Sequence, residues 1–152
     1  MNPVQQAIRG GCQCGAVRYA MHVERVEKPH VCHCRMCQRA TGGLFAALAG
    51  CAKSRLEWTR GEPAFFASSN LARRGFCRDC GTPLTFAYDL PEARIYVTIG
   101  SLDDPGLAGI EIQYGLESKI GWVKFCEDVP GERTGTDPAA AAFFAGMHSN
   151  QG

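Results

Sequence analysis

Surplus charge of either sign is missing from this chain: sixteen Lys and Arg stand against fifteen Asp and Glu in 152 residues, a formal +1. So small a net charge gives a polyanion no general attraction, and no nucleic-acid partner is expected. Long apolar runs are also lacking. Leu44 to Ala52 spans nine residues, with one Gly and four Ala, whereas a bilayer crossing needs about 20. No membrane partner is expected. Arg9, Arg18, Glu24, Arg25 and Glu27 interrupt the apolar positions of the first thirty residues, so the uninterrupted segment of a signal peptide is not found and a cytoplasmic location is expected. Sustained 3.6-residue periodicity is absent from the interior, which argues against long helices.

What the chain does have is period-two alternation. Val17, Tyr19, Met21 and Val23 form one such set, Leu84, Phe86 and Tyr88 another, and Ile95, Val97 and Ile99 a third. These read as strands, as do shorter apolar runs around Phe45, Phe65, Ile110 and Trp122. Eighteen Gly and eight Pro punctuate the runs, and a mostly β domain rich in turns follows. A short C-terminal helix is predicted over Ala139 to Met147, with Asp137 as cap and Pro138 at its first position. Pro130 to Gly135 reads as a linker, which makes residues 1–131 the folded unit and 132–152 a linker and tail.

Nine cysteines are the unusual feature, and seven fall in three clusters: Cys12 and Cys14; Cys32, Cys34 and Cys37; Cys77 and Cys80. In a reducing compartment clustered thiols point to metal or redox work, and an odd count cannot pair completely within one chain. Two sulfurs one or two residues apart in a tight turn reach one zinc ion without strain, and four close a structural site. Gly15 and Gly81 follow the outer clusters and permit the positive φ that lets backbone amides face sulfur. Cys12, Cys14, Cys77 and Cys80 therefore make one structural zinc site, contributing roughly 10–16 kcal/mol to folding by analogy with small zinc domains. Cys32, Cys34 and Cys37 then hold a second zinc through three sulfurs with a position left open, as catalytic sites do. Two other readings stand beside this one: His33, His30 or an isolated cysteine closes the second site, or a Cys-X-X-Cys pair does thiol redox chemistry. A zinc on three thiolates suits a soft incoming thiol and keeps it ionised near neutral pH, so thiol addition to a carbonyl is the natural reaction.

The segments Gly11-Cys12-Gln13-Cys14-Gly15-Ala16-Val17, Cys32-His33-Cys34-Arg35-Met36-Cys37-Gln38-Arg39-Ala40-Thr41-Gly42 and Arg74-Gly75-Phe76-Cys77-Arg78-Asp79-Cys80-Gly81-Thr82-Pro83-Leu84 resemble the glutathione-dependent formaldehyde-activating enzyme family, which includes centromere protein V. Ser68-Ser69, Gly100 to Pro105, Ser118-Lys119 and Trp122 arrive in family order over about residues 10–130. The resemblance implies packed antiparallel sheets, two zinc ions divided as above, and addition of glutathione to formaldehyde to give an S-hydroxymethyl adduct, a carbon–sulfur lyase reaction in reverse. A small aldehyde and glutathione or another small thiol are the implied partners; the alternative is a zinc-stabilised scaffold without catalysis. This chain departs from the family at Gln113, which stands nine residues before Trp122 where many members carry histidine. Gln cannot titrate, so a general acid or base must come from elsewhere or from water.

Arg35, Arg39 and Arg74 are candidate partners for the carboxylates of glutathione, and Arg73 and Arg78 lie near the same turns. His33 reads as a donor to a sulfur, while His22, His30 and His148 carry no motif. Cys51 and Cys126 read as core packing. Phe65, Phe66, Phe76, Phe86 and Tyr88 are expected to form core rather than a substrate cage.

Overall fold

A computed structural model describes residues 6–124, 130, 133 and 136–146. In chain order its elements are β1 (Ile8–Gly11), β2 (Arg18–Met21), β3 (Glu27–Cys32), α1 (Arg35–Thr41), β4 (Ala46–Ala52), β5 (Leu56–Arg60), β6 (Ala64–Ala67), β7 (Ala72–Phe76), β8 (Pro83–Tyr88), β9 (Arg94–Thr98), β10 (Ile112–Tyr114) and α2 (Pro138–Ala145). They form a three-stranded sheet, β1-β2-β5, and a seven-stranded sheet, β10-β3-β4-β9-β8-β7-β6. Neighbours are antiparallel except β10, which pairs parallel with β3. That pair departs from the expected antiparallel sheets, because the chain crosses from β9 to the far edge before adding its last strand.

The main core lies between the sheets. Tyr19 and Met21 from the small sheet meet Ala49, Cys51, Leu84 and Val97 from the large one. Cys51 is fully buried there, as expected. On β4 alternation divides the side chains: Ala47, Ala49 and Cys51 join the main core, while Ala46 and Leu48 join a second cluster with Cys37, Phe86 and Tyr96. Burial on both faces explains why Ala46 to Cys51 is continuously apolar, while Leu44 and Ala52 at the ends of the run are exposed.

A register shift modifies the period-two reading of β8. Gly75 pairs with Thr85, but Phe76 pairs with Pro83, so one step on β7 faces two on β8. The bulge at Leu84 sends that side chain into the main core and leaves Phe86 in the second cluster. Leu84 and Phe86 thus serve different cores. Beyond β9, Tyr19 Oη and Ser101 Oγ lie 2.8 Å apart, and Arg18 donates to both oxygens of Asp103 at 2.8 and 2.5 Å, which fastens this segment to the small sheet.

The C-terminal helix forms as its signals require. Asp137 accepts from the amides of Ala139 and Ala140 at 3.2 and 3.4 Å, and Pro138 opens α2. Met147 and Cys126 lie outside the described residues. No described strand contains Trp122, which sits in a turn and is 70% exposed. No helix among the described residues is long and apolar enough to cross a membrane.

Candidate metal centres and the adjoining cavity

Two hairpin turns from different sheets bring the outer cysteines together. In the β1–β2 turn the Cys12 amide donates to Val17 O at 3.0 Å and the Val17 amide to Cys12 Sγ at 3.2 Å. In the β7–β8 turn the Cys77 amide donates to Thr82 O at 3.0 Å and the Gly81 amide to Cys77 O at 2.7 Å. Gly15 and Gly81 share a φ of 78°, the left-handed conformation expected of them. The two turns are local copies of one device.

The sulfurs of Cys12, Cys14, Cys77 and Cys80 all lie within 4.8 Å of one another. Cys12 Sγ is 3.6 Å from Cys14 Sγ, which is 3.8 Å from Cys77 Sγ. A tetrahedral ion with metal–sulfur bonds of about 2.3 Å sets its sulfurs about 3.8 Å apart. This group therefore fits a metal ion. Burial opposes ionisation of Cys80, but hydrogen bonds from Thr82 and the Cys14 amide bring its thiol down to about 6.

The second group is built where β3 runs into α1. Cys32 ends the strand, Cys34 is the N-cap, and Cys37 lies in the first helical turn; their sulfurs also lie within 4.8 Å of one another. The Cys37 amide donates to Cys34 Sγ at 3.3 Å, so this sulfur is cap as well as candidate ligand. Among the described residues no His, Asp, Glu or further Cys completes this group. A metal held here would have three protein ligands. The Cys37 thiol is lowered to about 5, first by its hydrogen bond with Cys32 and, against burial, by Arg74; Cys32 is raised through the same pairing.

His33 is fully buried, yet it does not donate to a sulfur as its sequence position suggests. Its Nε2–H donates to Gln113 Oε1 at 2.8 Å, and its Nδ1 has no partner. Parallel pairing of β10 with β3 brings Gln113 there, opposite Val31. Gln38 completes the support: its Nε2 donates to His33 O at 2.8 Å and Ser118 O at 3.2 Å, while its Oε1 accepts from Arg35 at 2.5 Å. Sequence reading missed Gln38, because a buried amide on a short helix leaves no periodic trace. These bonds tie the strand-to-helix junction to β10 and Ser118, and His33 Nδ1 is left as a buried nitrogen without a partner.

The arginines separate. Arg35 and Arg39 are exposed on α1, and Arg73 and Arg78 are also exposed. Arg74 is only 7% exposed. Its Nε donates to Ser68 Oγ at 3.0 Å, its Nη2 to Cys37 Sγ at 3.4 Å, and its guanidinium carbon lies 4.7 Å from the Phe86 ring centre. Ser68, noted only as part of a motif, thus orients the group that faces Cys37.

Beside Arg74 opens a cavity of about 330 Å³ whose walls include Leu48, Phe66, Phe76 and Pro83. The expectation that the aromatic set is core holds for Phe86, which packs in the second cluster, and needs correction for the others. Phe65, Phe66 and Tyr88 are 46%, 43% and 49% exposed, Phe66 and Phe76 line the cavity, and Phe86 stacks on Arg74. Because β6 is an edge strand, Phe65 and Phe66, which alternation turns to opposite faces, both remain partly exposed.

Comparison with known proteins agrees with this construction. The family described as glutathione-dependent formaldehyde-activating enzyme matches residues 7–115. An uncharacterized lyase from Schizosaccharomyces pombe is 34% identical over 79 residues, covering 52% of this chain and 56% of that protein. The match thus spans little more than half the length of that relative. A crystal structure of a Rhodobacter sphaeroides protein superposes with a TM-score of 0.53 at 25% identity, covering 70% of this chain and 99% of that one.

Proposed function

Because the chain belongs to the glutathione-dependent formaldehyde-activating enzyme family, we propose that it adds the sulfur of a thiol, glutathione foremost, to a small aldehyde such as formaldehyde. The observation that carries this reading is the three-sulfur group of Cys32, Cys34 and Cys37, lacking a fourth protein ligand among the described residues and facing a buried guanidinium. Cys12, Cys14, Cys77 and Cys80 would hold a second, structural ion. The sulfur-rich donor sets favour zinc in both places. Zinc bound at the three-sulfur group would supply the positive charge that keeps an incoming thiol ionised near neutral pH.

In the reaction the thiol gives up its proton to water, its sulfur forms a bond to the carbonyl carbon, and the carbonyl π pair moves to oxygen, which takes a proton back from water. The product is an S-hydroxyalkyl adduct, with atoms and charge conserved. Arg74 places a fixed positive charge beside the sulfurs, and Gln38 and Gln113 hold the strand-to-helix junction that carries them. Since Gln113 accepts from His33 Nε2, this pair orients the imidazole rather than carrying protons to substrate. Exposed Arg35 and Arg39 on α1 are proposed to meet the carboxylates of glutathione, with Arg74 the third guanidinium of the site. Free thiols in this number suit a reducing, cytoplasmic setting.

NMR exchange spectroscopy on formaldehyde, glutathione and their adduct tests the proposal, with metal content measured in each sample. Exchange faster than the uncatalysed background, two zinc ions per chain, and loss of acceleration in Cys37→Ser are the expected results. Two zinc ions without acceleration would remove formaldehyde activation and favour the scaffold alternative.

A further inference from the structure

Formaldehyde is one carbon and one oxygen, whereas the cavity beside Arg74 measures about 330 Å³. A space of that size falls in the range that seats small organic ligands, about 300–1,000 Å³. Its walls are chiefly apolar: Leu48, Phe66, Phe76 and Pro83 contribute most of the bulk, and Arg74 is the only charged residue lining it among the described residues. Thr41, Thr85 and Thr98 also line it; the hydroxyls of Thr41 and Thr98 already donate to Cys37 O at 2.9 Å and Pro83 O at 2.7 Å, and Thr85 is buried. Arg74 is the charged donor of this lining. Its Nε and Nη2 are engaged by Ser68 and Cys37, while Nη1 has no hydrogen bond among the described residues. A buried guanidinium with an unspent N–H at the mouth of an apolar space calls for an oxygen acceptor on an apolar body.

The geometry points to an aldehyde of several carbons as a substrate of this site, its apolar body in the cavity and its carbonyl oxygen on Arg74 Nη1. This inference rests on the thiol-addition reading and goes beyond it by naming a substrate class larger than formaldehyde. Glutathione itself is the poorer occupant. It carries two carboxylates and an ammonium group, and the lining offers one guanidinium, so at least two charges would be desolvated without partners. As sulfur adds to the carbonyl carbon, charge grows on the oxygen, and Arg74 stabilises it before water supplies the proton. The same Arg74 lies against Cys37, so the oxygen site and the sulfur site are held by one side chain.

The test uses the full chain loaded with zinc and reads binding and rate separately. Hexanamide, which has an acceptor oxygen and an apolar tail but does not take up thiols, is titrated while the methyl signals of Leu48, Thr41 and Thr98 are followed by NMR. Those methyls are expected to shift with hexanamide and to stay unmoved with formamide at the same concentration. Ala40, half-buried on α1, also lines the cavity. Filling the space with Ala40→Phe should weaken hexanamide binding and lower the ratio of the hexanal rate to the formaldehyde rate about tenfold or more. Ala40→Val, a smaller intrusion, should move both in the same direction and serves if the phenylalanine variant does not fold. Hexanamide leaving the methyls unmoved, or S-methylglutathione moving them instead, overturns the inference; acceleration of formaldehyde exchange would then leave the thiol-addition reading standing. Absence of acceleration with every aldehyde overturns both.

Discussion

Cys37 shows how far the fold departs from the chemistry of an isolated thiol. Its hydrogen bond with Cys32 and the nearby Arg74 outweigh burial and bring it down to about 5. Because the folded value is depressed, its contribution to stability is complete above the ordinary thiol value of about 8.5 and disappears as pH falls through about 5. In metal-stripped protein, alkylation of Cys37 followed by mass spectrometry should therefore reach half its limiting rate near pH 5, and Arg74→Gln should move the midpoint upward. A midpoint near 8.5 in the native chain would refute this account. Gly81 permits a second single-residue test. An added Cβ meets nothing within 4 Å, but its φ is 78°. Gly81→Ala should thus cost about 1–2 kcal/mol through backbone conformation alone. Gly100→Ala, equally open and without positive φ, should leave thermal stability nearly unchanged.

Among the elements, α1 unites two roles in its first residues. Cys34 Sγ caps the helix by accepting from the Cys37 amide and also belongs to the three-sulfur group. The two roles can be separated. Cys34→Ser keeps a good N-cap and Cys34→Ala does not, so both should lose one of two metal ions while the alanine variant is less stable by a further ~1 kcal/mol. Equal melting temperatures at equal metal content would show that the cap contributes nothing. This helix was hidden in the sequence because seven residues are too few to establish a 3.6-residue period, and its apolar positions serve a metal turn rather than a stripe. The strands were more legible: Val17, Tyr19 and Met21 are at most 3% exposed, as their alternation requires. β8 was legible as a strand but not in its facing, since the bulge at Leu84 depends on its pairing with β7.

At the scale of the whole molecule the four-sulfur group joins a turn of the small sheet to a turn of the large one, whereas the three-sulfur group is confined to one strand-to-helix junction. Loss of the first should therefore affect stability more. Cys77→Ser is expected to lower the melting temperature well beyond Cys37→Ser, each variant retaining one metal ion, and the opposite order would reverse the assigned roles. The folded unit is proposed to end near residue 131; a chain of residues 1–131 should keep both metal ions and most of the thermal stability, as checked by metal analysis and calorimetry. The sequence by itself determined the β character, the C-terminal helix signals and the division of seven cysteines into four and three, because strand periodicity, capping and ligand spacing are local properties of a chain. Only the tertiary structure decided that His33 turns to Gln113, that Arg74 is buried against Cys37, and that Phe66 and Phe76 wall a cavity. Each of these depends on which strands lie side by side, and pairing across 37 to 80 residues of chain leaves no mark on local spacing.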